Sequence, residues 1–222
     1  KSLSEKNFAD LKTLARESFS SETFYKNMLE DLAKTFDQKK TEKLLEWHRS
    51  PLAKKMIDLE AEKTAPAHLK DMQGFILKMQ LTPLSDKRQE LLKRLNVALQ
   101  GTEMNVQLMV KSQYGLIRAL NRVIPEDKRQ TETQLNAAEG LTTINLRHTM
   151  ESQILGSWGY VYDSIPDTEL EEYIKFYETD LGKEWSLNVS KSLTNAMEAA
   201  SADLGNKLVK DVNVIKKDPS LK

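Results

Sequence analysis

The feature that most constrains this chain is a segment that returns, in altered form, 129 positions later, which is the separation of Trp47 and Phe176. Residues 44–54 lie over residues 173–183 with apolar on apolar, aromatic or histidine on aromatic, hydroxyl on hydroxyl and small on small. Such self-similarity is typical of a structural unit that is used twice. It predicts architecture and leaves the chemistry open.

The similarity extends to residues 21–59, the early segment, and to residues 150–188, the late segment. In each of them apolar residues recur at helical spacing over three stretches, which predicts two divergent three-helix repeats. The interval 60–149 also has helical spacing and is predicted to form a helical middle. We expect the whole chain, 1–222, to be a single domain.

The composition favours helices throughout. Only eight glycines and six prolines occur in 222 residues, and runs of β-branched residues are almost absent. Leucine, lysine, glutamate, glutamine, methionine and alanine are abundant, and these are strong helix formers. We therefore expect an all-α fold, an antiparallel array of about eight to ten helices joined by short turns.

Ser50 and Pro51 predict a joint between two helices. Proline disfavours helical geometry in the residue before it, but it is well tolerated at the first helical position. Ser50 is therefore expected to cap a helix that begins at Pro51, and Thr179 to make the same joint in the late segment. The small residues Ala53 and Gly182 then fall in the first turn, where another part of the chain can approach closely.

The two segments carry opposite charge. Residues 34–55 have a net charge of +4, and residues 163–184 have a net charge of −6. If a pseudo-two-fold axis relates the segments, these charges attract where like charges would repel. If the charges point apart, they form a candidate surface for a protein partner or for self-association, and drift of exposed charges after duplication is a third explanation. The candidate residues are Lys40, Lys43, Arg49, Glu169, Glu172 and Glu178.

Several classes of function are not expected. The chain has 33 basic and 33 acidic residues, and nucleic-acid binding usually needs a clustered basic excess. The longest uncharged stretch, from Ser152 to Tyr162, has eleven residues and is too short to span a membrane. Cysteine is absent, which excludes disulfides and thiolate metal sites.

No catalytic, cofactor-binding or metal-binding pattern is found. His48, His68 and His148 lack the neighbouring glutamates of helical zinc proteases and of diiron bundles, so no metal or cofactor is predicted. His48 is expected to pack where the late segment has a tyrosine. Glu151 followed by a serine is similar to the active-site acid of helical muramidases, but the glycine and aromatic residues that should follow are missing.

Four aromatic residues at helical spacing have two interpretations. Trp47, Phe176, Tyr177 and Trp185 could line a ligand box, but aromatic residues in this pattern more often form a core. The eight methionines are spread along the chain and are expected to fill gaps in the core. A binder of an apolar ligand would instead show a dry cavity lined by tryptophan and methionine.

The residues around the joint resemble a known family. Residues 176–183 keep Phe-Tyr and Gly-Lys of a phrase like Phe-Tyr-x-Ser-Pro-x-Gly-Lys, with Asp180 in place of proline. Residues 47–54 keep Ser-Pro, with His48 in place of tyrosine and Ala53 in place of glycine. Both resemble the bacterial exported family called domain of unknown function 2059. The resemblance implies an all-α fold, a cleaved signal peptide and a periplasmic or secreted location, and it offers no catalytic residues.

Together these observations predict a non-enzymatic, exported helical protein with a binding or scaffolding role in the bacterial envelope. One alternative is a cell-wall-acting glycan hydrolase that uses Glu151. The other is a protein that binds an apolar ligand between helices.

Overall fold

The structure, a computed structural model, describes the backbone of residues 5–122 and 124–217 and the side chains of residues 10, 12–122 and 124–210. Ten α-helices and two short 3-10 helices occupy the described chain. The α-helices are α1 (Glu5–Ser18), α2 (Ser21–Ala33), α3 (Gln38–His48), α4 (Pro51–Lys63), α5 (Leu69–Leu81), α6 (Asp86–Ala98), α7 (Gly101–Asn121), α8 (Glu132–Val161), α9 (Asp167–Glu178) and α10 (Asp180–Lys217).

The predicted all-α fold is confirmed, and the described residues contain no strand. None of the helices in the described part of the chain combines the length and the apolar character that a membrane span requires. Polar side chains set several helix starts. Asp37 accepts a hydrogen bond from the Lys40 amide, and Ser85 accepts one from the Arg88 amide. These caps satisfy amides that have no partner inside the helix.

Both predicted joints are confirmed. Ser50 lies between α3 and α4, and Thr179 lies between α9 and α10. The Ser50 hydroxyl accepts the Ala53 amide hydrogen at 3.2 Å, and the Thr179 hydroxyl accepts the Gly182 amide hydrogen at 3.1 Å. Two related sequence phrases therefore build the same capped turn, and each turn starts a new helix one residue after the cap.

The chain divides into two compact units. Of the described residues, the first unit takes those in 5–31, 106–145 and 191–217, and the second takes those in 32–105 and 146–190. Helices α2, α7, α8 and α10 contribute residues to both. The second unit contains α3, α4 and α9, and therefore holds most of the early segment and most of the late segment.

Trp47 of α3 and Phe176 of α9 are half-buried and pack together against the core of the second unit. Their rings stack with centroids 4.2 Å apart and planes 10° from parallel. The two residues are equivalent under the shift of 129 positions, so each meets its own counterpart. Around them the buried cluster takes Met56 from α4, Leu92 and Leu95 from α6, and residues from α8 and α9.

The neighbouring ring contacts are reciprocal. The Trp47 and Tyr177 rings lie 6.5 Å apart, and the His48 and Phe176 rings also lie 6.5 Å apart. The shift of 129 positions exchanges these two pairs. In a two-fold interface a contact between two residues is matched by the contact between their counterparts. The ring contacts thus have the pattern that a pseudo-two-fold axis between Trp47 and Phe176 would produce, and the two three-helix repeats stay a prediction.

Helix α6 lies along α9, and its arginines hold both ends of that helix. Arg88 Nε lies 2.8 Å from a carboxylate oxygen of Asp167, the first residue of α9. Arg94 donates two hydrogen bonds of 2.9 and 2.8 Å to the two carboxylate oxygens of Glu178, the last residue of α9. This paired bond lowers the pKa of Glu178 and fixes the position of α9.

The first unit packs α7 against α10 through small residues. The position of a Cβ atom on Gly205 would overlap the Cβ of Ala119, and one on Gly115 would lie 3.1 Å from the Ser201 Cβ. Small side chains at these crossings allow the two backbones to approach closely. On the same unit, burial opposes ionisation of Glu139, but hydrogen bonds from Lys111 and Arg118 lower the pKa of its carboxyl group.

A substitution at Gly182 tests the close packing of the second joint. A Cβ atom at this position would overlap the Phe176 carbonyl oxygen and lie 2.6 Å from the Tyr177 Cα. Both neighbours are backbone atoms and cannot move aside cheaply. We expect Gly182→Ala to lower the free energy of unfolding by about 1–3 kcal/mol in urea denaturation, and Gly182→Leu to cost at least as much.

Gly74→Ala is the matched control for this experiment. Gly74 lies in α5 of the same unit, and a Cβ atom there would meet nothing within 4 Å. Alanine should therefore stabilise α5 by up to about 1 kcal/mol, because it favours helix more than glycine does. If Gly182→Ala is as harmless as Gly74→Ala, the close approach at the joint is wrong.

Candidate functional site

The charged residues that the sequence singled out lie in the second unit, and part of them form ion pairs. Lys40 Nζ lies 2.7 Å from Glu184, and Lys55 Nζ lies 2.5 Å from Glu169. The shift of 129 positions places Lys40 over Glu169 and Lys55 over Glu184, so the two pairs exchange. They follow the same reciprocal pattern as the rings.

The order of these pairs has a simple geometric reason. Under the predicted pseudo-two-fold axis the beginning of one segment would lie opposite the end of the other, which agrees with the pairing of Lys40 with Glu184 and not with its counterpart Glu169. Glu178 pairs with Arg94 of α6. Lys43, Arg49 and Glu172 are exposed and make no ion pair with another described residue.

A cavity of about 510 Å³ lies between helices of this unit. Helix α4 contributes Glu60 to its wall and α7 contributes its first residue, Gly101. The part of the chain from α8 to α10 contributes mainly aromatic and aliphatic side chains. Glu60 is the one charged residue that lines the cavity. We name this space the Glu60 cavity. The lining side chains from α8 to α10 are Trp158, Val161, Tyr162, Tyr173, Tyr177, Trp185, Ser186 and Val189.

Gly101 shapes one wall of the cavity. A Cβ atom there would lie 2.7 Å from Trp158 Cζ2 and 2.8 Å from the Asn96 side-chain oxygen. The preceding residue, Gln100, has a positive φ of 56°, which turns the chain sharply from α6 into α7. The Asn96 oxygen also accepts the Thr102 amide hydrogen at 2.8 Å and so caps α7. The glycine allows the Trp158 ring to lie directly against this turn.

Glu60 is held by two tyrosines. The hydroxyl groups of Tyr162 and Tyr173 donate hydrogen bonds of 2.5 and 2.9 Å to the same carboxylate oxygen, Oε1. The Tyr173 hydroxyl also lies 3.4 Å from the Tyr177 hydroxyl. All three tyrosines are buried, with 1 to 4 % of their surface exposed. The cavity therefore contains a short polar network within largely apolar walls.

The environment shifts the acidity of these groups. Burial raises the pKa of the Glu60 carboxyl group, and the hydrogen bonds from Tyr162 and Tyr173 oppose that effect. Burial, followed by the charge of Glu60, raises the pKa of both tyrosines, so their hydroxyls remain protonated donors. No lysine, arginine or histidine makes an ion pair with Glu60 among the described residues.

Ser186 adds an unusual polar atom to the cavity wall. Its side chain is 6 % exposed, and its hydroxyl oxygen has no hydrogen-bond partner in the described chain. Buried hydroxyl groups nearly always have a partner, because the loss of hydrogen bonds to water is costly. The unpartnered Ser186 hydroxyl, in the wall of a cavity that also contains Glu60, marks a place where a bound molecule would complete the hydrogen bonding.

The other residues considered from the sequence lie elsewhere or are structural. His48 packs against Phe176 and Trp185 as predicted, and burial lowers the pKa of its imidazole. His68 lies beside the Tyr160 hydroxyl at 3.3 Å. No group of three or more metal-ligating side chains occurs among the described residues. Glu151 is exposed on α8 and does not line the Glu60 cavity.

The four aromatic residues predicted as core divide between two roles. Trp47 and Phe176 form the central stack, whereas Trp185 and Tyr177 pack beside it and also line the Glu60 cavity. Sequence reasoning missed Glu60 itself. The sequence did contain a signal for this residue. Glu60 directly follows the early segment, and under the shift of 129 positions this acidic residue lies over the apolar Val189.

A pH experiment tests the environment of Glu60. Because the folded-state pKa is raised above the unfolded value, stability is lost as the pH rises through the interval between the two. Glu60→Gln keeps a hydrogen-bond acceptor and removes this ionisation. We expect the melting temperature of the variant, relative to the natural protein, to increase between about pH 4 and about pH 8.

Glu62→Gln provides the control on the same helix. Glu62 is exposed, so its relative melting temperature should change little with pH. A relative melting temperature of Glu60→Gln that stays constant or falls with pH would contradict the burial of Glu60.

Comparison of the chain with models of known protein families, with curated proteins and with solved structures gave no match. The resemblance to the family called domain of unknown function 2059 stays a prediction that rests on residues 47–54 and 176–183.

Proposed function

We propose that the protein is a non-enzymatic binding protein whose second unit holds a small apolar molecule in the Glu60 cavity. The observation that carries this proposal is the cavity itself, about 510 Å³ in volume, with two tryptophans, a methionine and the unpartnered Ser186 hydroxyl in its wall. Ligand sites in proteins are typically about 300–1,000 Å³, mostly apolar, with a few placed polar groups.

The arrangement supports binding more than catalysis. Hydrolysis of a glycosidic bond uses two carboxyl groups on either side of the bond. The cavity is lined by one carboxylate, Glu60, whose Oε1 is already engaged by two tyrosines. Glu151, the acid of the hydrolase alternative, is exposed and outside this cavity. No observation in the described chain favours that alternative.

The cellular setting is part of the proposal. The resemblance of the joint phrases to an exported bacterial family supports a periplasmic or secreted protein, in which the binding role serves the envelope. A protein partner or second copy is proposed to contact the exposed charges Lys43, Arg49 and Glu172. The balance of 33 basic and 33 acidic residues supports the expectation that nucleic acid is not the partner.

A neutral apolar probe tests the proposal. We expect 1-octanol to bind saturably, as measured by calorimetry and by a change in tryptophan fluorescence, because Trp158 and Trp185 line the cavity. Ala61→Phe should weaken this binding at least about tenfold, since Ala61 lies in the wall and the larger ring would occupy the cavity.

Ala67→Phe is the matched control. Ala67 is also exposed, lies in the following 3-10 helix and does not line the cavity. Its affinity for 1-octanol should equal that of the natural protein. Absence of saturable binding, or equal affinity in both variants, would contradict ligand binding in this cavity.

A further inference from the structure

We infer that the ligand of the Glu60 cavity is a primary amine on an apolar body, with its ammonium group on the free carboxylate oxygen of Glu60. This inference rests on the proposed function and names the class of ligand. It follows from the hydrogen-bonding capacity left open, from the unbalanced charge and from the aromatic walls.

The first step is the direction of the hydrogen bonds around Glu60. An ionised carboxylate only accepts, so Tyr162 and Tyr173 both use their single hydroxyl hydrogen on Oε1. Because the Tyr173 hydroxyl hydrogen is already donated to Glu60, the Tyr177 hydroxyl must be the donor in the contact of 3.4 Å between the two tyrosine hydroxyls. The hydroxyl hydrogens of Tyr162 and Tyr173 therefore point to Glu60, and that of Tyr177 points to Tyr173.

The second step concerns the hydrogen-bonding atoms of the cavity that have no partner. Both hydrogen bonds to Glu60 from described residues use Oε1, which leaves Oε2 without one, and the buried Ser186 Oγ has none either. Ionised Glu60 Oε2 can only accept, and the Ser186 hydroxyl can donate or accept, so a ligand group with several donors can bond to both. An ammonium group brings three.

The third step is charge. Among the described residues of the wall, Glu60 is the one ionisable acid or base apart from the tyrosines, and no basic residue in that part of the chain makes an ion pair with it. An anionic ligand would meet a carboxylate and no cation, whereas an ammonium group would pair with it. The burial that raises the pKa of Glu60 also makes a cationic partner more favourable there.

The fourth step is the wall itself. Trp158 and Trp185 line the cavity, and indole is the side chain that attracts cations most strongly through its face. Aliphatic residues such as Ile57, Leu99 and Val189 provide contact for an apolar body. A carboxylate, two indoles and an apolar remainder together fit an amphiphilic amine better than an alcohol or an acid.

The experiment compares three probes of equal chain length. Binding of octylamine, 1-octanol and octanoate to the full chain is measured by calorimetry near neutral pH. We expect octylamine to bind at least about tenfold more tightly than 1-octanol, and octanoate to bind more weakly than either. In Glu60→Gln the preference for octylamine should vanish while 1-octanol still binds, which also shows that the variant is folded.

Glu62→Gln, on the exposed side of the same helix, should keep the full preference for octylamine. The affinity for octylamine, and not that for 1-octanol, should fall as the pH is lowered through the pKa of Glu60. If 1-octanol binds and octylamine binds no better, the amine inference is overturned and the proposed cavity function stands. If none of the probes binds, both are overturned.

Discussion

The stack of Trp47 on Phe176 joins the early and the late segment of the second unit. The two rings belong to α3 and α9, their centroids are 4.2 Å apart, and each is the counterpart of the other. The contacts on either side repeat in exchanged form, first the rings of His48 and Tyr177, then the ion pairs Lys40–Glu184 and Lys55–Glu169. The opposite charges of the two segments attract each other in this arrangement. If both segments carried the same charge, like charges would face each other and repel.

The candidate site arises where the two segments differ. Three tyrosines line it, Tyr162, Tyr173 and Tyr177, and their counterparts in the early segment are Ala33, Leu44 and His48. Glu60 in turn lies over an apolar residue. Positions with similar residue types in the two segments thus hold the helices together. Positions with different residue types provide the carboxylate, the hydroxyl groups and the aromatic walls of the cavity. A duplicated helical unit can acquire a binding site in this way without loss of its core, because the substitutions fall beside the central stack.

Local chemistry was predictable from the sequence, and long-range pairing was not. The joints at Ser50 and Thr179 follow from capping and from the restriction that proline imposes, which act over a few residues. The all-α class follows from composition. By contrast, Glu60 meets Tyr162 and Tyr173 across 102 and 113 positions, and Arg94 meets Glu178 across 84. These contacts depend on how helices cross, which helical spacing alone does not specify. The charge pattern allowed complementarity as one of three explanations, and the pairing order of the ion pairs could not be read from it.

The central claim is that Trp47 and Phe176 occupy equivalent positions on a pseudo-two-fold axis. The most direct measurement is the free energy of unfolding of four proteins, namely the natural chain, Trp47→Phe, Phe176→Trp and the double exchange. Each single change alters the ring volume at the axis, by a gap or by overpacking, and should cost about 1–3 kcal/mol. The double exchange restores one indole and one phenyl ring, so we predict that it recovers at least about 1 kcal/mol relative to the sum of the single effects. Strictly additive effects would contradict the equivalence of the two positions.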